Sequence, residues 1–203
     1  MGIRLINPQR EFERLVPIAI ANACFSVNVS KEAYIDKFNQ FANGMRSFGQ
    51  HYLIDGKEID KRVRNGIGAQ LALEKQLGVT FTKWGENKPD DIPDMLPVGL
   101  KVGVKSSEAP RNAPLVAKNI YHPQIIFLID ENDRSLFHCL GVFSPTDLRH
   151  KDFICDTLKQ NPDITEDKTG FYKITKGIPF TTFENLKNIL NDRWKIQDQN
   201  YPI

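Results

Sequence analysis

"KPDDIPDMLPVGLKVGVKSSE", residues 88–108, joins two kinds of sequence in one stretch. Its first half sets Asp90, Asp91 and Asp94 among Pro89 and Pro93. That is turn chemistry, because aspartate bonds nearby backbone N–H groups and proline fixes φ. The second half alternates. A strand over Leu100–Lys105 places Leu100, Val102 and Val104 on one face and Lys101, Gly103 and Lys105 on the other. Upstream the apolar period is helical and downstream it is extended, so the class of the fold is decided here.

Toward the N-terminus, Phe12, Leu15, Val16, Ala19 and Ala23 form a helical stripe that Pro17 either kinks or divides. "VSKEAYIDKFNQFANGM" offers Ser30 as a cap, an apolar face through Phe41 and a stop near Gly44. "DGKEIDKRVRNGIGAQLALEKQLGVTF" predicts a helix closed by Gly78, with Gly66 and Gly68 either dividing it or allowing close packing. The first third, 1–78, is thus mainly helical.

Toward the C-terminus, "PQIIFLIDE" is a continuous apolar run that suits a central strand covered on both faces. "SLFHCLGVFS" is a further strand, joined to it by the turn-rich "DENDR" as an antiparallel hairpin. Beyond Ser144, "PTDLRHKDFICDTLKQ" reads as helix, "GFYKITK" as strand, and "PFTTFENLKNILNDRWK" as a helix signalled by Pro179 and Thr182. The expected fold is one α/β domain over 1–203, a small mixed sheet flanked by helices.

Composition narrows the function classes. With 27 basic and 25 acidic residues the formal charge is +2, which permits a nucleic-acid partner only if the charges segregate. No run approaches 18 apolar residues and no secretory signal opens the chain, so a cytoplasmic protein without a membrane partner is expected. Cys24, Cys139 and Cys155 are scattered thiols, and His51, His122, His138 and His150 share no zinc spacing.

The quoted stretch has the residue types of a phosphodiesterase centre. Hydrolysis of a phosphodiester needs a nucleophilic water and a place for charge, which carboxylates holding divalent cations supply. Magnesium prefers oxygen ligands and lets water and phosphate complete its shell. A neighbouring lysine orients the water or offsets charge in the transition state. Such a site wants an acid on a loop, and an acid and a lysine two residues apart on the adjoining strand. Asp94 lies nine residues before Gly103, enough for a turn that returns beside the strand, and Lys105 is the lysine.

From Gly66 to Ser144 the chain resembles the PD-(D/E)XK nuclease superfamily, which includes many type II restriction endonucleases. There a glutamate-bearing helix precedes a proline–aspartate motif, an acid–x–lysine strand and further strands. "GIGAQLALEKQLG" resembles that helix, with Glu74 the acid and Gln70 one turn earlier. Proline–aspartate occurs at Pro89–Asp90 and Pro93–Asp94, the second closer to the strand, and Lys105 ends "GVK". The chain departs from the pattern at Gly103, where the family carries Asp or Glu. Some members supply that carboxylate from a nearby helix or a following segment, a place for Glu74 or Glu108; otherwise the scaffold is inactive.

The resemblance implies a restriction-endonuclease-like mixed sheet with its catalytic core over 66–144. It implies a Mg²⁺-dependent endonuclease of a restriction system, acting on double-stranded DNA as a homodimer. Asp94, Glu74 and Lys105 would be catalytic, with Asp94, Glu74, Glu108 and Asp90 the metal ligands. The basic run Lys57, Lys61, Arg62 and Arg64 could track phosphates. The polar segment with Ser106, Ser107, Arg111, Asn112 and Lys118, read as a flexible loop, could reach bases or phosphates. The alternative is a non-catalytic DNA-binding or assembly protein on the same scaffold, and Gly103 is its evidence.

Overall fold

The computed structural model describes residues 8–30, 32, 33, 35, 56–82, 93–109, 114–117, 121–149, 168–170 and 176–193. Its centre is a four-stranded mixed sheet built from β1 (Phe25–Asn28), β2 (Gly103–Glu108), β4 (Gln124–Ile129) and β5 (Leu136–Phe143), in the order β1-β5-β4-β2. β4 runs antiparallel to β5 and parallel to β2, and β5 runs antiparallel to β1. β3 (Leu115–Ala117) and β6 (Lys168–Gly170) form a separate antiparallel ribbon. Around these lie helices α1 (Pro8–Ala21), α2 (Gly56–Leu77), α3 (Pro145–Arg149) and α4 (Phe183–Arg193). Among the described residues no helix is long and apolar enough to cross a membrane.

β4 is central because its side chains are apolar after the first and all six residues are buried. Ile125, Phe127 and Ile129 face one cluster with Ala69, Ala72 and Leu73 of α2 and Leu186 and Leu190 of α4. Ile126 and Leu128 face the other, with Phe12, Val16 and Ala19 of α1, Val116 of β3 and Leu148 of α3. A continuous apolar run is what a strand covered on both faces requires. Phe25 of β1 packs its ring edgewise on Phe127 and Phe180, with centroids 6.1 and 5.6 Å apart.

α2 is one unbroken helix through Gly66 and Gly68, and α1 runs through Pro17 without dividing. Gly68 serves close packing: a methyl there would overlap the Phe137 ring of β5, whose Cε1 and Cε2 would lie at 3.0 and 3.1 Å. At Gly66 the same methyl meets nothing within 4 Å. Gly68→Ala is therefore expected to lower the urea midpoint, because overpacking costs about 1–3 kcal/mol, against about 1 kcal/mol gained in helix propensity. Gly66→Ala should raise it. A Gly68→Ala chain more stable than the parent would refute the close approach.

The structure departs from the sequence expectations in several places. β2 begins at Gly103 rather than Leu100 and continues to Glu108. β1, β3 and β6 were not anticipated; each is a strand of three or four residues. Short strands carry too few residues for alternation to register. At Ser30 the hydroxyl accepts the N–H of Ala33 at 3.3 Å, the bond of a helix cap, and residues 31, 34 and 36–45 of that predicted helix lie outside the described residues. The same holds beyond Arg149 in the predicted 145–160 helix and for 171–175 of "GFYKITK". At α4 the Thr182 hydroxyl accepts the Asn185 N–H at 3.1 Å, the cap expected there.

Candidate functional site

From Pro93 to Val102 the chain folds back along the start of β2. Buried Met95 donates its N–H to Val102 at 3.0 Å, and its carbonyl accepts from Val98 and Leu100 at 3.1 and 3.2 Å. Leu96–Val98 is a 3₁₀ turn closed by Gly99, whose φ of 80° is left-handed. This returns Asp94 to the outer edge of β2. Gly103 turns its N–H inward to Pro123 at 2.9 Å, so the next N–H, that of Val104, points outward. Asp94 Oδ2 accepts it at 2.7 Å.

The other carboxylate oxygen, Oδ1, accepts the side-chain amide of Gln70 on α2 at 2.7 Å. Gln70 Oε1 in turn accepts the Thr82 hydroxyl at 3.4 Å. One turn along, Glu74 Oε1 accepts the backbone N–H groups of Phe81 and Thr82 at 2.9 and 2.7 Å. Glu74 thus ties down the chain as it leaves α2. The glutamate helix, the aspartate turn and the lysine strand are linked by side-chain bonds, with Gln70 the member that touches Asp94.

Lys105 is half-buried, and its ammonium has no hydrogen-bond or ion-pair partner among the described residues. It pairs in register with Ile126, on the α1 side of the sheet, while Val104 packs toward α2. Gly103 shares the Lys105 face, and its place in the acid–x–lysine pattern is filled from the neighbouring strand. A Cβ at Gly103 would overlap the carboxamide of Gln124, with Cδ at 2.8 Å. Gln124 is fully buried; its Nε2 donates to Pro123 at 3.1 Å, and its Oε1 has no hydrogen-bond partner among the described residues. Sequence reading missed Gln124, whose one signal is a polar residue opening an apolar run.

The other expected site residues lie elsewhere. Ser106 and Ser107 belong to β2 and not to a loop: the Ser106 hydroxyl donates to Asn65 of α2 at 2.9 Å, and Ser107 is buried. With Asn65 bonded to Ser106 and Gln70 joined to Val104 through Asp94, α2 runs antiparallel to β2. Glu108 is buried, ion-paired with Arg134 of the β4–β5 turn. It sits four residues along the strand from Val104, about 13 Å at ~3.3 Å per residue, so it does not meet Asp94. Lys57, Lys61, Arg62 and Arg64 fall in α2, and Arg64 is exposed. Lys57 is thirteen residues from Gln70, about 20 Å along the helix. Asp90, Arg111, Asn112 and Lys118 lie outside the described residues. Among the described residues no three His, Cys, Asp or Glu side chains cluster as a metal site.

Three further polar contacts hold the sheet. His138 bridges Ser26 of β1, Nδ1 to Oγ at 2.9 Å, and Asp130, Nε2 to Oδ2 at 3.4 Å. The N–H groups of Asp133 and Asn132, with His138, hold the Asp130 carboxyl below its ordinary value. Half-buried Cys24 donates its thiol to the Cys139 carbonyl at 3.2 Å. Burial pushes the Cys139 thiol well up, while the bond from its neighbour's side chain lowers Cys24.

The chain matches no family model, no curated protein and no solved structure.

Proposed function

We propose that this chain is a restriction-endonuclease-like, Mg²⁺-dependent nuclease that hydrolyses phosphodiester bonds of double-stranded DNA as a homodimer. The observation that carries the reading is the seat of Asp94. Its carboxylate bonds at once to the strand that carries Lys105 and to the helix that carries Glu74. Two antiparallel DNA strands cut by one kind of centre call for a two-fold dimer.

The donor chemistry at the start of β2 fits magnesium. That ion is held by one or two carboxylates, with water and substrate phosphate completing an octahedron. Asp94 supplies a carboxylate at the outer edge of β2. When bound, the ion would supply Lewis-acid activation of water and of the phosphate. Lys105 brings an ammonium not committed to any described partner, able to orient the attacking water and offset charge on the phosphate. Gln70 and Glu74 fix the loop and helix on which Asp94 depends.

The second reading, a DNA-binding scaffold without chemistry, draws on Gly103 and on the engagement of Glu108 with Arg134. The two separate on long, sequence-diverse duplex DNA incubated with Mg²⁺ or Mn²⁺, beside an EDTA control. Discrete fragments that vanish with EDTA are expected. A folded chain that retards DNA at low salt and leaves it intact with both cations would select the scaffold.

A further inference from the structure

We infer that Cys24 and Cys139 form a peroxide-responsive dithiol, in which Cys24 reacts with hydrogen peroxide and Cys139 closes a disulfide onto it. The pair uses neither Asp94 nor Lys105, so the inference does not rest on the nuclease reading. Three features carry it. First, two free cysteines 115 residues apart meet. Cys24 donates its N–H to the Cys139 carbonyl at 2.8 Å and its thiol to the same oxygen at 3.2 Å, and the two side chains are themselves hydrogen-bonded inside one apolar cluster. Second, they differ in access. Cys139 is fully buried within β5, whereas Cys24 is half-buried, so a small oxidant meets Cys24 first. Third, they differ in freedom. Cys24 stands in the bend between α1 and β1, before the ladder opens at the Phe25–Cys139 pair. Its sulfur can therefore close to a bond of about 2.0 Å without unzipping the strand.

The reactivities divide in the same way. The bond from the Cys139 side chain holds the Cys24 thiol below its ordinary value and favours the thiolate, the form that peroxide oxidises, while burial keeps Cys139 protonated. The Cys24 thiolate attacks one peroxide oxygen and the O–O bond breaks. Hydroxide leaves and takes up the proton that the thiol gave, so Cys24 becomes a sulfenic acid and one water is released. The Cys139 sulfur then attacks the Cys24 sulfur, and the S–O bond breaks. The hydroxyl departs with the Cys139 proton as a second water, so a buried neutral thiol needs no separate base. Two thiols are oxidised to one disulfide and one peroxide is reduced to two waters. The disulfide ties the entry of β1 to β5 and restricts the unfolded chain, which raises stability.

The test treats the reduced full chain with hydrogen peroxide and maps its peptides by mass spectrometry without reduction. The expected product lacks the mass of two hydrogen atoms, joins the peptides that hold Cys24 and Cys139, and reverts with dithiothreitol. Its urea midpoint should lie above that of the reduced chain. Cys139→Ala is expected to stop at the Cys24 sulfenic acid, trapped by dimedone, and Cys24→Ser to leave Cys139 a free thiol. Cys155→Ser should form the same link as the parent. A parent that forms no Cys24–Cys139 link, or that links through Cys155 instead, overturns the inference. So does a Cys24→Ser chain whose Cys139 is oxidised as fast as in the parent. If either variant does not fold, the parent's peptide map, with dimedone present and absent, decides alone.

Discussion

Lys105→Met is expected to slow cleavage of duplex DNA by about 10²–10³-fold, the usual loss when one preorganised donor to the transition state is removed. Methionine keeps most of the half-buried stem and deletes the ammonium. Because the Lys105 ammonium bonds to no described residue, the fold loses no ion pair, and the unfolding free energy measured in urea should change by no more than about 0.5 kcal/mol, as for substitutions away from structural features. Affinity for uncleaved DNA should fall only as far as one phosphate contact allows, flattening the plot of log affinity against log salt by about 0.9. The combination is diagnostic. Slower cleavage with unchanged stability and near-parental binding places the ammonium at the reacting phosphate. Parental rates in Lys105→Met would remove it from the machinery.

The architecture was legible where hydrophobic pattern has few solutions. "IIFLI" had to be covered twice, and β4 is buried in all six residues. Long helices were legible for the same reason. Their boundaries were not: Leu100–Val102 alternate like strand, yet Val102 spends its carbonyl on Met95, so β2 starts at Gly103. The pairing of β2 parallel to β4 is a tertiary fact that alternation along one strand cannot encode. At the site, spacing allowed Asp94 to return beside the strand, and it does so on the Val104 N–H. The commitments of the other polar residues were hidden, because a glutamate that ties down a backbone turn and one that binds a cation look alike in sequence. Glu74 and Glu108 both illustrate this, one engaged by backbone N–H groups and the other by an arginine. The burial of Gln124 was hidden more deeply, since its carboxamide occupies space left by the absence of a side chain twenty-one residues earlier.

Asp94 separates structure from chemistry most sharply. Asp94→Ala should destabilise the chain by about 1–3 kcal/mol, the penalty for leaving a buried donor unpaired, because the Val104 N–H and the Gln70 amide both lose their acceptor. Asp94→Asn differs in one respect. Its oxygen can still accept from Val104, and its new N–H₂ then faces Gln70, whose amide can turn to present oxygen instead of nitrogen. After that turn the Gln70 nitrogen meets the Thr82 hydroxyl, which accepts as readily as it donates. The polar ladder is therefore rebuilt without charge, and the urea midpoint of Asp94→Asn should lie closer to the parent than to Asp94→Ala. Cleavage should be lost alike in both variants, by at least about a thousandfold, since a metal centre contributes several kcal/mol of transition-state stabilisation and each ~1.4 kcal/mol is a factor of ten in rate. Equal destabilisation of the two variants would contradict the turning of Gln70. An Asp94→Asn chain that still cuts DNA at the parental rate would show that the carboxylate, for all its place at the strand edge, is only a structural acceptor.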